Sequence, residues 1–153
     1  MKTVKPIKSI TICSSASFYR EVIEIKNELR KQGFTVFVPV TALKMQKSGD
    51  YTVAKHKVWY DNPKMYHQKT AKMKGHLRQI DKGDAILVVN LKKKGISGYV
   101  GGNVLLEIFY SWMLGKPIIV LNPISDKCTL KEEVLGMGPS FLGGNVSELK
   151  KIK

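Results

Sequence analysis

The chain has 153 residues, 43% of them hydrophobic, and a formal net charge of +14. That length and apolar content fit one domain with a real core, and no apolar run is long enough for a transmembrane helix. The charge favours phosphates, polyanions and anionic surfaces as partners, but helix-turn-helix, zinc-finger and RNA-recognition signatures are missing.

Residues 1–8 read as a basic arm leading into a strand, because no apolar h-region or small-residue cleavage site follows them. A strand runs from Lys8 to Cys13 through the β-branched run Ile10-Thr11-Ile12 and ends in the small-residue loop Cys13-Ser14-Ser15-Ala16-Ser17. Phe18, Val22, Ile25 and Leu29 then share one helical face; Ser17 suits the N-cap, Glu21 the first turn and Gly33 the C′ position. Phe34 to Val38 is the next strand, stopped by Pro39. Strand, helix, strand is a βαβ unit, and a parallel sheet follows from it.

Periodicity fails from Val40 to about Gln68, where Tyr51, Trp59, Tyr60 and Tyr66 are scattered among lysines. A stretch of this kind reads as a lid or insertion whose aromatics either stack on a planar base or pack the segment onto the domain. Helical spacing resumes over Lys69 to Lys82, with Met73, Leu77 and Ile80 on one face. Ala85 to Val89 is a doubly buried strand ended by Asn90, and residues 91–102 form a glycine-containing loop. A helix over Asn103 to Leu114, capped by Gly115, leads to the strand Pro117 to Leu121. A short helix near Leu130 to Leu135, a short strand around Ser140 to Leu142 and a last helix from Val146 complete the pattern. The sum is a single α/β domain, a three-layer sandwich whose ligands bind beyond the carboxyl ends of the strands.

Glu107 is the odd residue in that pattern. A carboxylate between Leu106 and Ile108 on an apolar helix must reach water or remain poorly solvated, a placement that marks either chemistry or a helix-dipole contact. Asn103, Glu107 and Ser111 form one polar stripe with Tyr110 beside it, on a helix otherwise apolar. Facing Ser14, Ser15 and Ser17, that stripe would suit a sugar, with a phosphate at the first helix's N-terminus and Gly98, Gly101 and Gly102 allowing close backbone approach.

The ordered set Asp84 to Asn90, glycine-containing loop, Glu107-Ile108-Phe109-Tyr110 and Leu114-Gly115-Lys116-Pro117 resembles the nucleoside 2-deoxyribosyltransferases. It also resembles their relatives, the 2′-deoxynucleoside 5′-monophosphate N-glycosidases, and the Cys13 to Ser17 loop is similar to their ribose and phosphate loop. The resemblance spans most of the chain outside residues 40–68. It implies a flavodoxin-like, mostly parallel five-stranded sheet of order 2-1-3-4-5, and a homodimer or larger homo-oligomer. Glu107 matches the family's nucleophile, which attacks the anomeric carbon and forms a covalent glycosyl-enzyme. Two positions depart from the family pattern. His76 stands at or beside the place of an aspartate near the base, and Gly101 replaces an aspartate of the transferases. A histidine there can either donate a proton to the leaving base or serve as a surface or capping residue.

The catalytic candidates are therefore Glu107 and His76, and the substrate-binding candidates are Cys13, Ser14, Ser15, Ser17, Asn90, Gly101, Gly102, Asn103 and Tyr110. No cofactor is expected. His56, His67, His76 and Asp61 lack metal-ligand spacing, and Cys13 and Cys128 show no CxxC pattern, so both read as reduced thiols of a cytoplasmic protein. Asp81 and Asp84 read as solvent-facing or capping groups. The lysines of residues 44–82, of Lys92-Lys93-Lys94 and of the tail Lys150-Lys151-Lys153 read mainly as a solubilising surface. Two further readings remain open: a nucleotide-sensing module that uses the same pocket without turnover, and a lysine-driven nucleic-acid binder.

Overall fold

Five parallel strands carry the fold, in the order β2-β1-β3-β4-β5, and a computed structural model describes residues 5–152. The outer parts of the basic arm and tail, residues 1–4 and Lys153, lie outside the described residues. β1 (Ser9–Ser14) pairs with β2 (Thr35–Phe37) on one side and β3 (Ala85–Val89) on the other; β4 (Ile118–Val120) and β5 (Ser140–Phe141) extend the sheet. The sheet is flavodoxin-like, with helices on both faces.

Strand alternation sorts the core into two halves. Ile10, Ile12, Leu87, Val89 and Ile119 point to the side of helix α1 (Tyr19–Lys31). Cys13, Ile86, Val88, Ile118 and Val120 point to the other, where α3 (Tyr66–Lys82) and α4 (Gly102–Met113) supply Ile80, Val104 and Ile108. Every residue of β3 is buried, as expected of a central strand covered on both faces. Gly33 and Gly115 take the left-handed conformation just past α1 and α4, where the sequence places their caps.

The region without periodicity, residues 40–68, contains an unexpected helix, α2 (Val40–Ser48), followed by 3-10 turns at Val53–His56 and Pro63–Met65. Helix α2 escapes detection because its apolar residues form no single stripe: Ala42 and Met45 are buried, whereas Val40 and Leu43 are exposed. Helix α3 begins at Tyr66, three residues ahead of the expected start, because the Asn62 side chain accepts from Lys64 N–H and caps the turn that feeds it. Ser17 makes no cap: a 3-10 turn at Ala16–Phe18 intervenes, and Phe18 precedes α1 without a side-chain cap bond. At the end of the chain α5 (Lys131–Gly136) lies where expected, while the segment from Val146 is a 3-10 helix to Lys151. No helix among the described residues is long and apolar enough to cross a membrane.

Candidate active site

The carboxyl end of β1 and the N-terminal half of α4 meet at the floor of a cavity of about 750 Å3. Glu107 stands there, 6% exposed, where the turn of α4 directs its side chain back over the end of the sheet. One carboxylate oxygen accepts a 2.9 Å hydrogen bond from Asn103 Nδ2, and the Asn103 oxygen accepts from Lys69 Nζ at 2.9 Å. The other carboxylate oxygen has no hydrogen-bond partner and lies 3.7 Å from His76 Nε2. Burial pushes the Glu107 carboxyl above its ordinary range, against the opposing pull of His76, Cys13, Lys69 and Asn103.

His76 reaches this floor from α3 and is itself 7% exposed. Its Nδ1 lies 2.9 Å from Gln79 Oε1. An amide oxygen accepts only, so the Nδ1–H of His76 donates to Gln79 and Nε2 is the ring nitrogen that faces Glu107. Cys13, expected to contact substrate, lies beneath the floor on β1 instead: it is wholly buried in the core and outside the cavity lining, with its thiol pushed well above its ordinary value by burial and then by Glu107. One donor atom from each of Cys13, His76 and Glu107 falls within 4.8 Å of the others. Sequence spacing could not show this sulfur, nitrogen and oxygen set, since its members come from three separate elements; it is of a kind Zn2+ accepts, although the raised thiol opposes the deprotonation a metal needs.

The remaining candidates divide. Ser14, Ser15, Gly101, Gly102 and Asn103 line the cavity with Glu107 and His76. Ser14 donates to Val89 O at 2.7 Å, and Ser15 accepts from Lys93 Nζ at 2.9 Å. Ser17 is exposed and outside the lining. Asn90 is also outside it: fully buried, it accepts from Asn122 N–H and donates to Asn122 O, both at 2.8 Å, so it ties the ends of β3 and β4 together. Tyr110 turns away to donate a 2.7 Å bond to Asp81, and Ser111 donates to the backbone oxygen of Glu107, so the polar stripe contributes only Asn103 and Glu107 to the cavity. Gly98 serves packing against Pro123, not a ligand. Asp84 accepts from Lys5, from the N–H groups of Lys8 and Ser9 and from the Ser9 hydroxyl, and so anchors the start of β1.

Several lining residues go beyond those singled out from sequence. Tyr19, at the start of α1, is pushed up by burial and next by Glu107. Lys69, Lys72, Met73 and His76 line one side from α3. Their spacing of three, four and seven is that of one helix face, a legible signal once His76 is taken as the anchor. Of the aromatics in residues 40–68, Trp59 and Tyr60 line the cavity, while Tyr51 stacks with Arg20 and Tyr66 lies outside the lining.

The strand order and the helices on both faces define the class of this protein as a flavodoxin-like α/β sandwich, with the buried carboxylate beside the carboxyl end of its first strand. No protein-family model matches the sequence, and no curated protein matches it. Among solved structures the chain is similar to a 2-deoxyribosyltransferase from the psychrotolerant bacterium Bacillus psychrosaccharolyticus, described as a biocatalyst for the synthesis of antiviral and antitumoral nucleosides. The likeness covers 95% of this chain and 92% of that one at a TM-score of 0.56 and 14% identity, and it is a likeness of fold.

Proposed function

We propose that this protein cleaves or transfers at the N-glycosidic bond of a (deoxy)nucleoside or its 5′-monophosphate. The observation that carries this reading is the Glu107 carboxylate, buried on the cavity floor with one oxygen held by Asn103 and the other free beside His76. The shared fold with a 2-deoxyribosyltransferase supports it. In this reading the free oxygen of Glu107 attacks the anomeric carbon, and the C1′–N bond breaks with its electron pair leaving on the base. His76 in its protonated form gives the departing base a proton from Nε2. The resulting glycosyl ester is resolved by the nitrogen of a second base or by water, whose proton returns to His76. Ser14 and Ser15 hold the sugar side, Trp59 and Tyr60 cover the base, and residues 40–68 act as the lid that brings them there.

Base release or exchange from a panel of ribo- and deoxynucleosides and their 5′-monophosphates, with and without an acceptor base, tests the reading beside Glu107→Ala. Turnover that disappears in the variant sustains it. A nucleotide bound but intact after long incubation would replace it with a sensing module.

In the same reading the protein works as a cytoplasmic homodimer. Both cysteines are buried and free, as suits a reducing compartment. Leu106, Phe109, Trp112, Met113 and Leu114 are all exposed along α4, and Glu107, which is buried, is the sole charged residue between Gly102 and Leu114. On a chain of net charge +14 such a charge-free apolar face lets two copies meet without opposing their lysines, so its occupant is a second copy.

A further inference from the structure

Five lysines, Lys57, Lys69, Lys72, Lys93 and Lys94, line the cavity, and Glu107 is its one carboxylate. Four of them, Lys57, Lys69, Lys72 and Lys93, are half-buried. Lysines elsewhere in the fold, such as Lys5, Lys131 and Lys151, sit against a carboxylate, but among the described residues none of the five does. Their ammonium groups bond neutral oxygens instead: Lys69 to Asn103, Lys72 to the backbone oxygen of His56 and Lys93 to Ser15. Half-buried cations without counter-charge are costly, and a solubilising role does not need them turned into a cavity.

The five also act as one group. Burial lowers the pKa of Lys69, Lys72 and Lys93, and neighbouring lysines lower it further: Lys57 for Lys69, Lys44 and Lys69 ahead of Lys57 for Lys72, and Lys57 with Lys94 for Lys93. Lys69 and Lys72 stand over the Trp59 ring and Lys57 over the adjoining Tyr60 ring, while Lys93 reaches Ser15 from the loop after β3. A 5′-monophosphate brings roughly two negative charges and each further phosphoryl group adds roughly one, so a monophosphate leaves most of this ring uncompensated. Ammonium groups bind phosphate as compact point charges, each reaching a separate oxygen, which suits a chain of phosphates better than a single one.

Resting on the reading that a nucleoside occupies this cavity, we infer that the site prefers a nucleoside polyphosphate to the nucleoside and its monophosphate, the di- or triphosphate chain held across Lys57, Lys93 and Lys94 from the Ser15 loop. The cavity of about 750 Å3 has room for it beyond a nucleoside.

The test is calorimetric titration of the Glu107→Gln variant, in which turnover is expected to be suppressed, with common deoxynucleosides and their 5′-mono-, di- and triphosphates. The expected result is at least about tenfold tighter binding of the triphosphate than of the monophosphate, weakening as salt is raised. Lys57→Gln and, separately, Lys93→Gln in that background are expected to weaken the triphosphate more than the nucleoside. Inorganic tripolyphosphate is expected to compete better than phosphate. A triphosphate that binds no tighter than its monophosphate overturns the inference, as does a single-stranded oligonucleotide displacing it at equal phosphate concentration. Because binding is read without turnover, a flat phosphate series leaves the N-glycosidic reading standing, and an absence of base release leaves the series informative.

Discussion

His76 Nε2 and Glu107 Oε2 face each other across 3.7 Å at the cavity floor, and among the described residues neither atom has a hydrogen-bond partner. Two buried polar atoms left unsatisfied side by side are the feature on which the proposed glycosyl chemistry rests. In the proposed reaction the pair would divide the labour, the carboxylate attacking and the imidazole giving a proton to the leaving base.

Base release is accordingly expected to fall by at least about a thousandfold in Glu107→Gln and by about a hundredfold or more in His76→Ala. The His76 loss is expected to shrink for a glycoside whose leaving group needs no proton, while the Glu107 loss persists. Because burial raises the Glu107 carboxyl, the acidic limb of the rate against pH should lie above the ordinary carboxylate range. Initial rates over a pH series check both points.

The same carboxylate should cost stability. Its folded pKa is raised above the unfolded value, so the folded state binds the extra proton and stability declines as pH rises through that interval. Glu107→Gln is expected to be more stable than wild type by about 0.5–2 kcal/mol at neutral pH. The gap should close below the unfolded carboxyl pKa, where both proteins are uncharged at this position. Urea denaturation at acid and neutral pH measures the difference, and a gap that widens in acid would contradict it.

Lys116 acts as a cap from outside its helix. Its ammonium donates to the backbone oxygens of Ile80, Asp81 and Gly83 at 2.6, 2.7 and 2.6 Å, at the carboxyl end of α3. Three charge-assisted bonds to otherwise orphaned carbonyls, placed at the negative end of the helix dipole, give the Gly-Lys-Pro turn a structural role. Lys116→Met should lower stability by about 2 kcal/mol with little change in substrate affinity, measured by thermal melting and calorimetry.

Gly98 admits no side chain. It has φ +63°, and a Cβ there would lie 2.0 Å from the backbone oxygen of Pro123. Gly98→Ala must push apart the loops after β3 and β4, which Asn90 also joins through Asn122 and Gly98. A loss of about 3 kcal/mol or more is expected in denaturant unfolding.

The apolar face of α4 predicts the assembly. Met113 is 64% exposed, so Met113→Lys should leave the fold intact while placing like charges across a two-fold contact. Sedimentation velocity should show a dimer for wild type and a monomer for the variant; a wild-type monomer at tens of micromolar would dismiss the second copy as occupant.

The positions of β1, β3 and β4 and the helices α1, α3 and α4 were legible from the chain because each is a local repeat of apolar residues bounded by glycine, proline or asparagine, whereas the strand order was implied only by the resemblance to the deoxyribosyltransferases. Helix α2 was not, since its buried residues Ala42 and Met45 face neighbours that no short-range period reveals. The same limit applied at the site. Glu107 stood out by itself as a carboxylate in an apolar helix, and Asn103 lay one turn away on the same face. Tyr110, equally close along the chain, turned to Asp81; Asn90 turned to Asn122; and Lys57, Lys69 and Lys93, distant along the chain, came to share one cavity. A helix or strand period specifies which way a residue faces, but a charged or polar side chain is committed only when the fold supplies its partner. Local sequence therefore determined the framework and its one anomalous carboxylate, while tertiary structure decided which polar groups surround it.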